Sequence, residues 1–338
     1  MSFLRVEKVE KIKVAIVDDS AFMRKIMSDS LQSRGFEVVA IGRNGQDAIE
    51  IASKGIADVM TLDVQMPVLD GLNALRTIMG SFPMPVIMVS SITVKDAEIT
   101  IEALKSGAFD FVTKPGGAIT FDLNEIIDEL SEKLILASKA KISPKISQPK
   151  ISKTLHPHGL YDILFIGSST GGPRALDYLI PNLPRDFPIP IVIVQHMPAN
   201  FTKTLADRLS EESKIRVYEV NSQIKAMPST GYVAKGDTHL EVTVNDGINL
   251  KPSDGPKING VKPAIDFTLS TIAKANLKIL CVILTGMGKD GTEGLKRMKR
   301  ENFTTIVESE KTAVVYGMPS RCKCRPRRLC PRSRQDTG

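Results

Sequence analysis

Residues 163–176, ILFIGSSTGGPRAL, run from an apolar stretch into a cluster of glycine, serine and threonine, then into a helical pattern that opens at Pro173. Packing gains little from so many small residues, but a tight turn needs them. Glycine reaches backbone conformations that other residues avoid, and proline suits the first turn of a helix. The stretch therefore reads as strand, turn and helix, the repeating unit of a parallel sheet covered by helices.

That unit recurs in both directions. Short runs rich in Val and Ile alternate with stretches of helical period. Upstream, the predicted strands are Lys13–Val17, Glu37–Ile41, Val59–Leu62, Pro85–Val89 and Phe109–Val112. Helices are predicted near Ala21–Ser33, Gln46–Ser53, Leu72–Gly80, Lys95–Ser106 and Asn124–Ala140. Downstream, strands are predicted at Ile163–Ile166, Ile189–Gln195, Ile215–Val220, Lys278–Leu284 and Thr304–Glu308. Helices begin at Gly172 and fill Phe201–Ser210, Ala264–Lys274 and Gly291–Arg300, while the Gly- and Asp-rich Ser229–Asn259 predicts hairpins. The fold class is thus α/β, with two doubly wound parallel-sheet domains. Residues 138–158, rich in Lys, Ser and Pro without an acidic residue, read as a solvated linker. The expected organisation is a (βα)5 domain over 1–137, this linker, a second α/β domain over 159–320 and a basic tail over 321–338.

Composition limits the function classes. The 338 residues are 42% hydrophobic, which suits two globular domains. No run approaches the ~18 apolar residues of a membrane span. The opening MSFLRVEKVEKIKVAIVDD mixes charge with Val and Ile where a secretory leader needs an unbroken apolar stretch, so the expected address is the cytoplasm. The net charge of +7 invites a nucleic-acid reading, but seven of the 45 basic residues and one of the 38 acidic residues fall in 321–338, leaving the rest almost balanced. Cysteine is distributed in the same way. Cys322, Cys324 and Cys330 lie in the tail, at spacings that fit no zinc site, and Cys281 alone sits in an apolar run. A reducing compartment without a disulfide framework follows.

Three carboxylates fall at predicted strand ends: Asp18 and Asp19 in AIVDDS, and Asp63 in MTLDVQMP. Ligands of open parallel sheets bind outside those ends. Crowded carboxylates need a cation, and hard oxygen donors suit Mg²⁺. A single strand-end Asp can equally cap the next helix. Ser90 and Ser91 close the fourth strand, and Lys114 follows the fifth in FVTKPGG. A carboxylate flanked by metal, hydroxyl and ammonium can accept a phosphoryl group, with Asp63 as nucleophile. The order and spacing of VDDS, LDVQMPVLDGL, VSS and TKP resemble the receiver domain of two-component response regulators over residues 12–137. The resemblance implies phosphorylation at Asp63 and a Mg²⁺ site of Asp18, Asp19 and Asp63. It also implies Ser90 as the switch hydroxyl, Lys114 as the phosphate-sensing cation and Phe111 as the switch aromatic.

Two readings of GSSTGG compete. A phosphate cradle at a helix N-terminus is one, although the GK[ST] ending and a later ribose-binding acid are both missing. The other is a nucleophile turn, because Gly167–Gly171 fits G-x-S-x-G with Ser169 at its centre. A nucleophilic serine needs a base, most often histidine. His156 and His158 lie in the linker, and His239 in the predicted hairpin region. His196 ends the apolar IPIVIVQHMP and shares a sheet edge with Ser169, so the pairing favours it. Asp290, in VILTGMGKDG beyond another apolar strand, can hold the imidazole, or it can simply cap the helix at Gly291. The order Ser, His, Asp differs from that of α/β-hydrolases.

IGSSTGGPRAL, IVIVQHMPANFT, LTGMGKDGTEGL and AVVYGMP together resemble the catalytic domain of the chemotaxis protein-glutamate methylesterase family over residues 160–319. The resemblance implies Ser169 as nucleophile, His196 as general acid/base and Asp290 as its orienter, with Thr170 and the backbone around Met287 lining the site and helping to hold the oxyanion. It implies hydrolysis of γ-glutamyl methyl esters, with deamidation of glutamine, on chemoreceptors. Phosphorylation by the chemotaxis histidine kinase would need Mg²⁺; the ester step would need no cofactor. The implied partners are receptor and kinase, with no nucleic acid, no membrane insertion and a monomeric chain. Three features depart from the family. VAKG stands at 233–236 in place of an Ala-Pro pair, Lys262 stands where Arg is usual, and the tail replaces an Ala-rich helix and a final strand. An esterase domain cut short in this way leaves an alternative: a response regulator that only docks on receptor or kinase. A DNA-binding regulator has no helix-turn-helix pattern to support it.

Overall fold

The computed structural model describes residues 11–114, 122–140, 160–298 and 300–322. The predicted linker beyond Ala140 and the tail beyond Cys322 lie outside the described residues.

The first sheet is built from β1 (Lys13–Val17), β2 (Glu37–Gly42), β3 (Val59–Asp63), β4 (Val86–Ser90) and β5 (Asp110–Thr113), all parallel in the order β2-β1-β3-β4-β5. Strands β3 and β4 are buried along their whole length, as a sheet covered on both faces requires. The crossovers are α1 (Ala21–Ser33), α2 (Gly45–Lys54), α3 (Gly71–Ser81) and α4 (Val94–Lys105), with α5 (Asp122–Ser138) after β5. The side chains of Ser20, Asn44, Asp70 and Thr93 cap the first four helices, each cap contributing about 1 kcal/mol. Strand order reverses between β1 and β3, the point where such sheets bind ligands. Asp18 follows β1 there, and Asp63 ends β3.

The second sheet contains β6 (Ile163–Ser168), β7 (Ile191–Gln195), β8 (Arg216–Val220), β10 (Thr230–Ala234), β13 (Ile279–Ile283) and β14 (Phe303–Val307). It is wholly parallel in the order β14-β13-β6-β7-β10-β8. A smaller antiparallel sheet joins β9 (Ile224–Lys225), β11 (His239–Val244) and β12 (Ile248–Ser253). The α-helices among the described residues of this half are α6 (Gly172–Leu179), α7 (Phe201–Glu212), α8 (Ile265–Lys274), α9 (Thr292–Arg297) and α10 (Gly317–Cys322).

The hairpin expectation for Ser229–Asn259 holds only in part. β11 and β12 form a hairpin that turns through Asp246 and Gly247 at positive φ. β10 instead runs parallel between β7 and β8, with Tyr232 and Val233 buried. Turn residues on both sides of TGYVA mimic a local hairpin, whereas the burial of Tyr232 is decided by distant strands.

The chain divides into two compact units. One holds the five-stranded sheet and its helices together with Pro173–Pro181 and Met197–Glu212, which are most of α6 and all of α7. The other holds the six-stranded and three-stranded sheets with α8, α9 and α10. Its core gathers Phe165, Val192, Leu250, Ile265, Leu269, Cys281 and Met318. Arg321 and Cys322, which the sequence reading gives to the tail, are the last turn of α10, and Cys322 is buried in that core.

Candidate active site

Three neighbouring strands carry the site. β6 lies between β13 and β7, with Gly167 opposite Ile283 on one side and Ser168 opposite Gln195 on the other. Ser169 leaves the end of β6, His196 leaves the end of β7, and Asp290 sits in the turn from β13 to α9. Three groups far apart in sequence therefore reach one edge.

The turn after β6 explains its own composition. Gly171 has a φ of +79°, and a Cβ on Gly172 would lie 2.0 Å from Gln195 Oε1. From the β13 side, a Cβ on Gly286 would lie 2.8 Å from Ser169 Cβ. Only glycine allows backbones to approach this closely. The Ser169 N–H donates to the Thr285 carbonyl at 3.0 Å, and the Gly172 N–H to the Ser169 carbonyl at 2.7 Å. Of the three hydroxyl residues in the turn, Ser168 and Thr170 are buried, and Ser169 alone is half-buried. The Ser168 hydroxyl is engaged on Gln195 Oε1 at 2.6 Å. The Thr170 carbonyl accepts from Thr285 Oγ1 at 2.8 Å.

His196 Nε2 lies 2.8 Å from Asp290 Oδ2, and both side chains are at least nine-tenths buried. The second ring nitrogen, Nδ1, is thereby left for a reacting hydroxyl. Among the described residues no hydrogen bond joins Ser169 Oγ to the imidazole. Asp290 is held on all sides: Oδ2 accepts from the Ile265 N–H at 2.6 Å, and Oδ1 from the N–H groups of Asp266 at 2.9 Å and Gly291 at 3.0 Å. The carboxylate thus sits on the N-terminus of α8, a helix without a side-chain cap of its own, where the dipole favours an anion. Burial pushes the Asp290 carboxyl up, but the His196 contact and the two α8 amides outweigh it and hold the group below its ordinary range. Behind it, Asp266 accepts from the Gly294 N–H at 2.6 Å and from Asn259 Nδ2 at 3.0 Å. Burial, together with the nearby Asp290 charge, raises the Asp266 pKa.

The acidic pocket of the first sheet is equally compact. Carboxylate oxygens of Asp18, Asp19 and Asp63 lie within 4.8 Å of one another. The Lys114 ammonium pairs with Asp63 at 2.8 Å and Asp18 at 2.9 Å. Burial pushes the Asp63 carboxyl up to about 6 against the pull of Lys114. Ser90 Oγ lies on Thr100 Oγ1 of α4 at 2.7 Å and on the Ser91 carbonyl at 3.3 Å, and so is not brought onto Asp63. The Phe111 ring stacks on Phe201 at 4.6 Å, and its carbonyl accepts from Lys133 Nζ at 2.5 Å.

Comparison with known proteins finds a family match in each half of the chain. Residues 14–128 match the response regulator receiver domain, and residues 164–324 match the CheB methylesterase model. The protein-glutamate methylesterase/protein-glutamine glutaminase of Thermotoga maritima is 46% identical over 315 residues, 91% of each chain. The chain belongs to the CheB methylesterase family. The Halalkalibacterium halodurans protein of the same name is 43% identical over 315 residues, again 91% of each chain. The crystal structure of the Thermotoga maritima CheB methylesterase catalytic domain is 48% identical, covers 48% of this chain and 87% of that one, and has a TM-score of 0.46.

The family's receiver module works with Mg²⁺ in general, and the acidic pocket fits such an ion. The buried Oδ2 of Asp18 has the Lys114 ammonium beside it but no aligned hydrogen bond, and the carboxylates of Asp18, Asp19 and Asp63 offer hard oxygen donors. His239, the other candidate base, is a core residue. It accepts from the Ala264 N–H at 3.3 Å, bonds the Pro256 carbonyl at 2.9 Å and stacks on Phe267. Lys262 donates to the Gly255 carbonyl at 3.3 Å, one hydrogen bond where an arginine fork could make two. Met287 is half-buried in the turn beyond β13.

Sequence reasoning overlooks five supporting residues: Gln195, Asn259, Asp266, Thr285 and Glu308. Gln195 carried a signal, as a polar residue closing a fully apolar strand beside His196. The other four are recognisable only once the turns have come together. No helix among the described residues is long and apolar enough to cross a membrane.

Proposed function

We propose that this chain hydrolyses glutamate γ-methyl esters on chemoreceptors, deamidates glutamine at such sites, and is controlled by phosphorylation of its receiver domain at Asp63. The reading is carried by the 2.8 Å pair of His196 and Asp290 at the strand end adjoining the half-buried Ser169. It treats residues 1–137 as receiver and 159–320 as catalytic. The alternative of a purely docking regulator rests on a truncated esterase domain, which the family match over 164–324 does not favour.

In this mechanism Asp290 keeps the Nε2 proton of His196 directed at itself, so that Nδ1 faces the serine. Nδ1 takes the hydroxyl proton as Ser169 Oγ attacks the ester carbonyl. Backbone N–H groups near Thr170 and Met287 receive the developing oxyanion. The imidazolium then returns its proton to the departing methoxide, releasing methanol and leaving an acyl-serine. Water, deprotonated by the same nitrogen, cleaves that ester to glutamate and restores Ser169. For a glutamine side chain the leaving group is ammonia. The shuttle contributes about 10²–10⁴-fold, and one oxyanion donor about 10²–10³-fold.

In the receiver, Asp18, Asp19 and Asp63 would hold Mg²⁺, which would offset phosphoryl charge during transfer from the chemotaxis histidine kinase. Lys114 pairs with the oxygen of Asp63 and would follow the phosphate. Phe111, stacked on the first residue of α7, would report the change to the segment that follows His196.

The test is covalent labelling. A fluorophosphonate should modify Ser169 and not Ser168, as read by tandem mass spectrometry of the peptide that spans them, and His196→Ala should suppress it. Labelling at Ser168, or undiminished labelling in that variant, would contradict the assignment.

A further inference from the structure

We infer that Gln195 is a positioning residue that fixes the nucleophile and its base relative to one another; the inference rests on the esterase reading above. Its amide is buried at the end of β7. Nε2 donates to the Ser169 carbonyl at 3.0 Å and to the His196 carbonyl at 3.0 Å. Oε1 accepts the Ser168 hydroxyl at 2.6 Å. The orientation of the amide is dictated, because two carbonyls need the two N–H bonds and a hydroxyl needs the oxygen.

One side chain therefore ties the backbone of the residue that attacks to the backbone of the residue that takes its proton. Neither hydrogen bond lies within a strand ladder. On the backbone, the His196 N–H donates to the Ser168 carbonyl at 3.0 Å, one residue short of Ser169. Ser169 and His196 both sit just beyond the last residues of their strands. The amide links the two. The room it needs is reserved by Gly172, whose missing Cβ would overlap Oε1. A donor pair in a low-dielectric setting holds geometry well, and an error of about 1 Å between reacting groups costs about 10²-fold in rate. Gln195 touches neither substrate nor the reacting atoms; its effect passes through where Ser169 Oγ and His196 Nδ1 come to lie.

Gln195→Met keeps the volume and removes both donors. With a chemoreceptor cytoplasmic fragment carrying γ-methyl glutamate, the full-length variant should lose about 30- to 100-fold in kcat for methanol release while KM stays within about threefold. Fluorophosphonate labelling of Ser169 should slow in parallel, a loss that a purely structural role in a folded protein would not produce. A folded Gln195→Met protein with kcat within threefold of wild type overturns the inference. Should that variant fail to fold, Ser168→Ala decides. That variant removes the hydroxyl's hydrogen bond to Oε1 and leaves both Nε2 hydrogen bonds in place, and it should lower kcat three- to tenfold; an unchanged kcat there overturns the inference too. Wild-type enzyme and Ser169→Ala run alongside: absence of methanol release from wild type counts against the esterase reading, and a difference between wild type and the Gln195 variant speaks only to the clamp.

Discussion

Asp290 does two jobs with one carboxylate, since it orients His196 and closes the open N-terminus of α8. Asp290→Asn should lower kcat by about 10²–10⁴-fold, because the amide nitrogen would face N–H donors or the ring would lose its orienter. Steady-state methanol release measures it. Glu308 gives a prediction in pH. Its carboxylate accepts the Thr285 N–H at 2.7 Å under the serine turn, and burial raises its pKa above 4.5 despite that bond. A raised folded pKa means that stability is full below about pH 4.5 and falls as pH rises through the folded value. Glu308→Gln keeps an acceptor for Thr285 and removes the charge. The melting temperature of the variant should exceed wild type at pH 7 and match it near pH 4, as followed by differential scanning calorimetry.

At the scale of elements, the site depends on strand ends packed closer than side chains permit. Gly172→Ala would place a methyl 2.0 Å from Gln195 Oε1 and 2.8 Å from Ser168 Cβ, at the first residue of α6. Overpacking of this kind costs about 1–3 kcal/mol and should displace the turn, so a folded Gly172→Ala protein is expected to lose most of its methanol release. Much of this scale is legible in the sequence. β1 and α1 occupy the predicted Lys13–Val17 and Ala21–Ser33, because alternation of Val-rich runs and helical periods is a local property. β10 is not legible as a sheet strand, since its partners β7 and β8 are remote and its flanks look like hairpin turns. The motifs point to Ser169, His196 and Asp290 one at a time. That β13, β6 and β7 are neighbours, and that Gln195 spans two of their ends, follows from pairing that no local pattern encodes.

For the whole molecule, the second unit is closed by α10, whose Met318 is fully buried and reaches the turn below Ser169. Met318→Ala should cost about 2–5 kcal/mol. Because the chain divides into two compact units, denaturant titration should show this loss in the transition of the second unit, while the transition of the first stays in place. The central claim joins the units by chemistry: phosphorylation at Asp63 governs ester cleavage at Ser169. The most direct measurement is methanol release from a γ-methylated chemoreceptor fragment, with and without acetyl phosphate and Mg²⁺, for wild type, Asp63→Asn and Ser169→Ala. Expected are stimulation of wild type, an unstimulated basal rate in Asp63→Asn and no release from Ser169→Ala. Stimulation of Asp63→Asn, or turnover by Ser169→Ala, would contradict it.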